Sequence, residues 1–535
     1  MPAPIMIDAQ AVCVQFPSSP KPLFDHLSLS IGRRLHALTG RNGIGKSVLG
    51  AVLAKVITPT SGQVWHHGRV GYLPQQTHES AQTVAEAFGV AELLAAQTRL
   101  AEGQASEADF GVLAEAGTEG WLVAEAINQR LQAQGLRAGL LTQPMASLSG
   151  GEQTKVRLLA LLYAGAEVIV LDEPSNHLDE AGVAWLCEWL QASGLGALLI
   201  THDERLLAIA EVIDELDELG LHRSEGGWAT HQATMAQRQA GAEALLAKQQ
   251  RAVSSAQQAQ QERQERSQQS QSRGKKGRFA AGQSKLLLDR QKNRSEATQG
   301  RVNSQYAHRL ETALAARDAA SEQVPDLDPL GLCVAPLAPA GPIVASASDL
   351  VLPYGDQTPL NFTLRAGQKW ALLGPNGSGK STLLAVLAGA AAPQSGQAYA
   401  TATVLRVDQH FSFLDPQLSA LANFMAFAPG LREDEYRTRL AQLRLRRDKA
   451  LYPLGQLSGG EQLKVALACL FSGVVAPALL LLDEPDNHLD QASRALLGQA
   501  LNQYQGAWLV VSHRPAFVAA LAVDEVLRLQ GVPPF

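Results

Sequence analysis

Two copies of one ordered motif series divide this chain. GRNGIGKS at residues 40–47 is matched by GPNGSGKS at 374–381, LSGGEQ at 148–153 by LSGGEQ at 457–462, and VLDEPSNHLD at 170–179 by LLDEPDNHLD at 481–490. THD at 201–203 then pairs with SHR at 512–514, and Glu173 to His202 spans the same 29 residues as Glu484 to His513. Repeats of this kind set the architecture before any local structure is read, and equal spacing predicts equal folds. The predicted class is α/β: two phosphate-loop domains, residues 1–231 and 341–535, joined by a long α-helical hairpin over 232–340. With 535 residues, 46% of them hydrophobic, the chain can bury two sizeable cores.

The repeats differ in one place. Gln75 to Ser149 spans 74 residues and Gln409 to Ser458 spans 49, so the first half carries about 25 more. They fall in an Ala-, Leu- and Glu-rich stretch that reads as helix. Two readings stand, a longer helical subdomain or a protruding arm that touches a partner.

Composition shifts sharply between the halves. Ten of the 23 residues in 249–271 are glutamine, and no proline occurs between Ser175 and Val324, so long helices are permitted. Residues 273–309 hold ten Lys or Arg against Asp289 and Glu296, which is +8 locally in a chain of net charge -6. Such asymmetry predicts a polyanionic partner, with Arg273, Lys275, Lys276, Arg278, Lys285, Arg290, Lys292 and Arg294 as candidate polyanion-binding residues. The alternative is a solvated linker with scattered charge. Glycines at 274, 277 and 282 suit a turn between two helices, and Leu286, Leu287 and Leu288 supply an apolar patch that a flexible linker does not need. Phe279 and Tyr306 either stack on bases or pack within the helices.

The G-x-x-x-x-G-K-[ST] pattern curls backbone N–H groups around phosphates at a helix N-terminus. It assigns nucleotide binding to Gly40, Asn42, Gly43, Gly45, Lys46, Ser47 and Val48, and to Gly374, Asn376, Gly377, Gly379, Lys380, Ser381 and Thr382. Lys46 and Lys380 should reach the β- and γ-phosphates, and Ser47 and Ser381 should ligate Mg²⁺. The apolar runs LHALTG and WALLGP that precede these loops read as strands. Asp172 and Asp483 end later apolar strands and are placed to hold the Mg²⁺ water shell; Glu173 and Glu484 follow as candidates to polarise the attacking water.

Together these motifs resemble the ATP-binding cassette ATPases over about 400 residues. The resemblance implies a head-to-tail pairing in which each LSGGEQ completes the opposite site. Site one then combines Lys46, Ser47, Gln75, Asp172, Glu173 and His202 with Ser458, Gly459 and Gly460. Site two combines Lys380, Ser381, Gln409, Asp483, Glu484 and His513 with Ser149, Gly150 and Gly151. Gln75 and Gln409 join the metal-holding set, and both sites retain the residues for hydrolysis. Phe16 and Tyr354 stand where the family stacks an aromatic ring on adenine, although a core role for Phe16 is the alternative.

Tandem cassettes, DEPSNHLD and DEPDNHLD, and a long linker with a basic tip resemble the ABC-F family more narrowly. That resemblance implies a monomer with intramolecular cassette pairing. It would bind the ribosome in its ATP-closed state, the linker reaching toward tRNA and the peptidyl-transferase centre, in translation or in protection from antibiotics. Two rival classes remain, the energising subunit of a transporter and a DNA-structure-binding ATPase. The basic linker weighs against the first. The chain ends at QGVPPF, without the C-terminal coiled coil of some DNA-binding relatives, which weighs against the second.

Cys13, Cys187, Cys333 and Cys469 form no C-x-x-C pair, which excludes a sequence-local zinc or iron–sulfur site and fits a reducing cytoplasm. The N-terminus has no basic segment followed by an apolar one, so export is not expected. Residues 465–482 run without a charge, yet Ser472, Gly473 and Pro477 interrupt them. A buried helix, a turn and a central strand are expected there, and no membrane domain.

Overall fold

A computed structural model describes residues 4–16, 22–75, 82–176, 178–217, 220–277, 304–305, 307–317, 319–320, 335–409, 411–443, 445, 447–471, 474–487 and 489–530. Each half contains an antiparallel three-stranded sheet and a larger, mainly parallel sheet. In the first half the small sheet runs Phe24–Gly32, Ile5–Val14, Ser61–His66, and the second half repeats it as Leu360–Arg365, Ile343–Val351, Ser395–Ala400.

The large sheets share their order too. Val70–Leu73, Val168–Asp172, Gly196–Ile200, Leu35–Gly40 and Val212–Asp217 correspond to Val404–Val407, Leu479–Asp483, Ala507–Val511, Lys369–Leu373 and Glu525–Arg528. In the first half Gly220–Glu225 adds an antiparallel edge. Covered on both faces, parallel strands lose alternation and become continuously apolar. VIVLD, GALLI, LLLLD and AWLVV are accordingly buried at every position. Asp172 and Asp483 terminate two of these strands, so the sheet itself delivers the carboxylates to its C-terminal edge.

The uncharged stretch 465–482 resolves into the end of helix Gly459–Phe471 and most of strand Leu479–Asp483. No helix among the described residues is long and apolar enough to cross a membrane. The additional residues of the first half form helices: Val84–Ala87 matches Ala420–Phe427, and Ala91–Ala101, Glu107–Gly120 and Val123–Ala133 then stand where the second half has Glu433–Gln442. An Arg99–Asp109 ion pair ties Ala91–Ala101 to Glu107–Gly120, while Phe110, Trp121 and Leu122 stay exposed.

The linker forms its own compact unit, Gln232–Asp328. Its first arm lies in the 51-residue helix Gly227–Gly277, with Arg273, Lys275 and Lys276 at the C-terminal end. Residues 304–305, 307–317 and 319–320 are also helical. Arg278, Lys285, Arg290, Lys292 and Arg294, with Phe279, Tyr306 and residues 286–288, lie outside the described residues. The sequence division places 335–340 in the linker, but Ala335 and Ala338 donate backbone hydrogen bonds to Phe471 and Ala476, each at 2.8 Å. Ala335 also packs into the core of the second half, so this segment lies with the cassette.

Candidate active site

Each phosphate loop joins the end of a strand to a short helix, Lys46–Leu53 or Lys380–Leu387. Gly45 and Gly379 precede these helices at φ 104° and 95°, a region that disfavours any side chain. A Cβ on Gly45 would also stand 2.7 Å from the Leu23 side chain, and one on Gly379 would stand 2.8 Å from the Tyr354 carbonyl. Lys46 Nζ donates to the Gly40 and Arg41 carbonyls at 2.8 and 3.0 Å, and Lys380 Nζ to those of Gly374 and Pro375 at 2.8 and 2.9 Å. Both lysines therefore lie along their loops. Burial weakens the hold of the Lys46 ammonium on its proton, while Glu173, Asp490 and Asp172 strengthen it.

The signature helices begin with capping serines. Ser149 Oγ accepts from the Glu152 N–H and Ser458 Oγ from the Glu461 N–H, each at 3.4 Å, and each glutamate returns a carboxylate to the serine N–H. This reciprocity pins LSGGEQ at a helix start.

The second signature faces the first phosphate loop. A Cβ on Gly43 would stand 3.8 Å from Ser458 Cβ, and one on Gly459 would stand 3.9 Å from Asn42 Nδ2. The Asn42 N–H also donates to Asp490 Oδ2 at 3.2 Å. In the reverse direction, a cleft of ≈460 Å³ gathers Gly150 of the first signature with Asn376, Glu484 and His513 of the second half. The head-to-tail arrangement implied by the sequence is thus present in both directions.

Glu173 and Glu484 adopt φ 48° and 50°, a left-handed backbone that is uncommon outside glycine. Their N–H groups bond across to the Ile200 and Val511 carbonyls at 2.8 and 3.0 Å, which fixes the turn and aims each carboxylate off the strand. Motif reading names both residues without foreseeing this conformation. His513 Nε2 stands 3.1 Å from Glu484, and His202 Nε2 stands 3.9 Å from Glu173. Burial pushes the Glu173 carboxyl above its usual range. It acts the same way on Glu484, but the His513 hydrogen bond and charge bring that group below its usual value.

Other sequence candidates fall into place around this centre. Gln75 and Gln409 follow the strands Val70–Leu73 and Val404–Val407. Gly151 and Gly460 occupy the first turns of the signature helices, and Val48 and Thr382 the first turns of the phosphate-loop helices. Phe16 is 41% exposed and Tyr354 is 77% exposed, so neither ring belongs to a core. Ser381 Oγ donates to Asp483 Oδ1 at 3.0 Å, whereas burial raises the Asp172 carboxyl above its usual range, with the Ser47 hydroxyl and the Lys46 charge opposing. Among the described residues, Asp172 Oδ1 and His202 Nε2 are buried without a hydrogen-bond partner, polar atoms that suit a cation and a phosphate. No group of three or more metal-binding His, Cys, Asp or Glu occurs among the described residues.

Two arginines escape the motif reading. Arg494 Nη2 donates to the His202 carbonyl across the cassette boundary at 2.8 Å, and Arg514 Nη1 reaches the same oxygen at 3.4 Å. The corresponding first-half residues are Val183 and Asp203, so this link runs one way. SHR in place of THD is its visible signal in the sequence.

The ABC transporter family model matches residues 24–176 and 358–487. The tylosin resistance ATP-binding protein TlrC of Streptomyces fradiae is 31% identical over 91% of this chain and 90% of its own length. ATP-binding cassette sub-family F member 3 of Mus musculus is 28% identical over 94% of this chain and 70% of its own. Among solved structures, the RNase-L Inhibitor shares the fold at a TM-score of 0.52 and 17% identity, over 98% of this chain and 88% of that one. The chain belongs to the ABC family as a tandem-cassette ABC-F protein, and it is an ATPase.

Proposed function

We propose that ATP closes the two cassettes on each other and holds the linker in a pose that the ribosome binds, with hydrolysis releasing it. In each site the lysine and loop N–H groups take the phosphates, and the opposite signature closes over the γ-phosphate. Glu173 and Glu484 orient the attacking water, and His202 and His513 steady the phosphate being released. The exposed rings of Phe16 and Tyr354 stack on adenine. Mg²⁺ would be held by Ser47, Gln75 and Asp172 in site one; Ser381, Gln409 and Asp483 are the corresponding set in site two, where Arg406 also pairs with Asp483. Their oxygens are the hard donors this ion takes. When bound, the ion neutralises phosphate charge. For ATP to drive binding, the ribosome must favour the closed state.

Charge carries the ribosomal reading. The +8 segment at 273–309 falls in the stretch of sequence that joins the two cassettes, and RNA phosphates would supply a matching polyanion. A relative named for tylosin resistance supports the antibiotic-protection branch beside the translational one. The domain division, an intramolecularly paired monomer and a cytoplasmic location belong to the same reading.

Replacing Arg273, Lys275, Lys276 and Arg278 with glutamine should weaken ribosome binding and flatten its salt dependence. Every phosphate that is no longer neutralised by one of these cations makes log K against log salt shallower by about 0.7 to 0.9. Filter binding across a salt series measures this. ATP turnover with added ribosomes or branched DNA separates the partners: ribosomes should stimulate more. Greater stimulation by branched DNA would favour a DNA-structure-binding ATPase, and co-purification with a membrane protein a transporter subunit.

A further inference from the structure

The two candidate metal carboxylates have different neighbours. Asp483 has both oxygens engaged: Ser381 Oγ holds Oδ1 at 3.0 Å, and Arg406 Nη2 holds Oδ2 at 2.7 Å. Arg406 extends from strand Val404–Val407, which pairs in parallel with the strand that Asp483 ends, Arg406 lying opposite Leu481. In the first half the equivalent pairing sets Tyr72 opposite Val170, so tyrosine occupies the position of the arginine. Burial, and then the Asp172 charge, push the Tyr72 phenol up to about 12, so it stays neutral beside that carboxylate. Asp172 keeps Oδ1 buried without a partner among the described residues.

A guanidinium is a permanent cation with donors shaped for carboxylate and phosphate oxygens. Fixed on Asp483, it cancels the charge that would draw a divalent ion and stands beside the phosphate loop, where Ser381 shares the same carboxylate. We propose that Arg406 is a built-in cation of site two, so that this site holds ATP with little dependence on Mg²⁺ while site one depends on the metal. The inference rests on the reading of Asp172 and Asp483 as the metal-side carboxylates. It divides the labour between two sites whose motifs look alike.

The test uses the full chain with one site disabled at a time. Lys46→Ala leaves site two to bind a fluorescent ATP analogue, and Lys380→Ala leaves site one. Affinity is measured in excess EDTA and in saturating Mg²⁺. Site one should gain about tenfold or more with Mg²⁺ and site two less than about threefold, because Asp483 paired with Arg406 offers the ion no uncompensated charge. Arg406→Tyr should make site two as metal-dependent as site one, whereas Arg406→Lys should keep it nearly indifferent. If site two with Arg406 in place responds to Mg²⁺ as steeply as site one, the proposal fails and the composite-site reading stands. If neither site binds the analogue, that reading falls and takes the proposal with it.

Discussion

Replacing Glu173 and Glu484 together with glutamine is expected to cut steady-state ATP turnover by about a hundredfold or more, the usual worth of a positioned general base, while ATP remains bound. Glutamine keeps the shape of each side chain and removes the carboxylate. The left-handed backbone at φ 48° and 50° and the N–H bonds to Ile200 and Val511 do not depend on the side chain's charge. The turns should therefore survive, with only the groups facing His202 and His513 altered. Phosphate release together with retention of labelled ATP on filters checks both halves of the prediction. Turnover within a few-fold of the unmodified protein would remove these glutamates from the chemistry.

Gly459→Asp should damage the nucleotide site of the opposite half. A Cβ at this position would stand 3.9 Å from Asn42 Nδ2, so the new carboxylate would face the first phosphate loop. Two like charges about 4 Å apart repel by about 4 kcal/mol at an effective dielectric near 20, and movement of the side chain away from phosphate recovers part of this. A loss of about tenfold or more in ATP affinity at site one remains, and site two should hardly change. The pattern is read from epistasis. Beside Lys380→Ala, Gly459→Asp should remove the binding that is left; beside Lys46→Ala, it should add nothing. Damage confined to the second half's own site would contradict the head-to-tail pairing.

Motif order carried the architecture because each motif needs a specific backbone. A phosphate loop needs a strand before it and a helix after it, and a D-E pair must end a buried strand. Two such sets at matching spacing therefore marked two strands of each large sheet, and the uncharged stretch at 465–482 resolved as helix and strand. Features that depend on pairing in space were not legible in this way. Arg406 reaches Asp483 through the register of two parallel strands, the residues lying 77 apart in sequence. Arg494 reaches His202 across 292 residues. The unusual backbone of Glu173 and Glu484 follows from cross-strand N–H bonds that no local propensity encodes. The 335–338 segment, proline-rich and linker-like by composition, is held by backbone pairing to Phe471 and Ala476. The exposed Phe16 ring lies outside the core, the alternative that spacing left open.

Ribosome co-sedimentation of the Glu173→Gln, Glu484→Gln chain in ATP and in ADP is the most direct measurement. A clamp that the ribosome binds when closed by ATP should pellet with ribosomes in ATP and stay in the supernatant in ADP. Equal recovery in the two nucleotides would contradict an ATP-closed, ribosome-directed clamp.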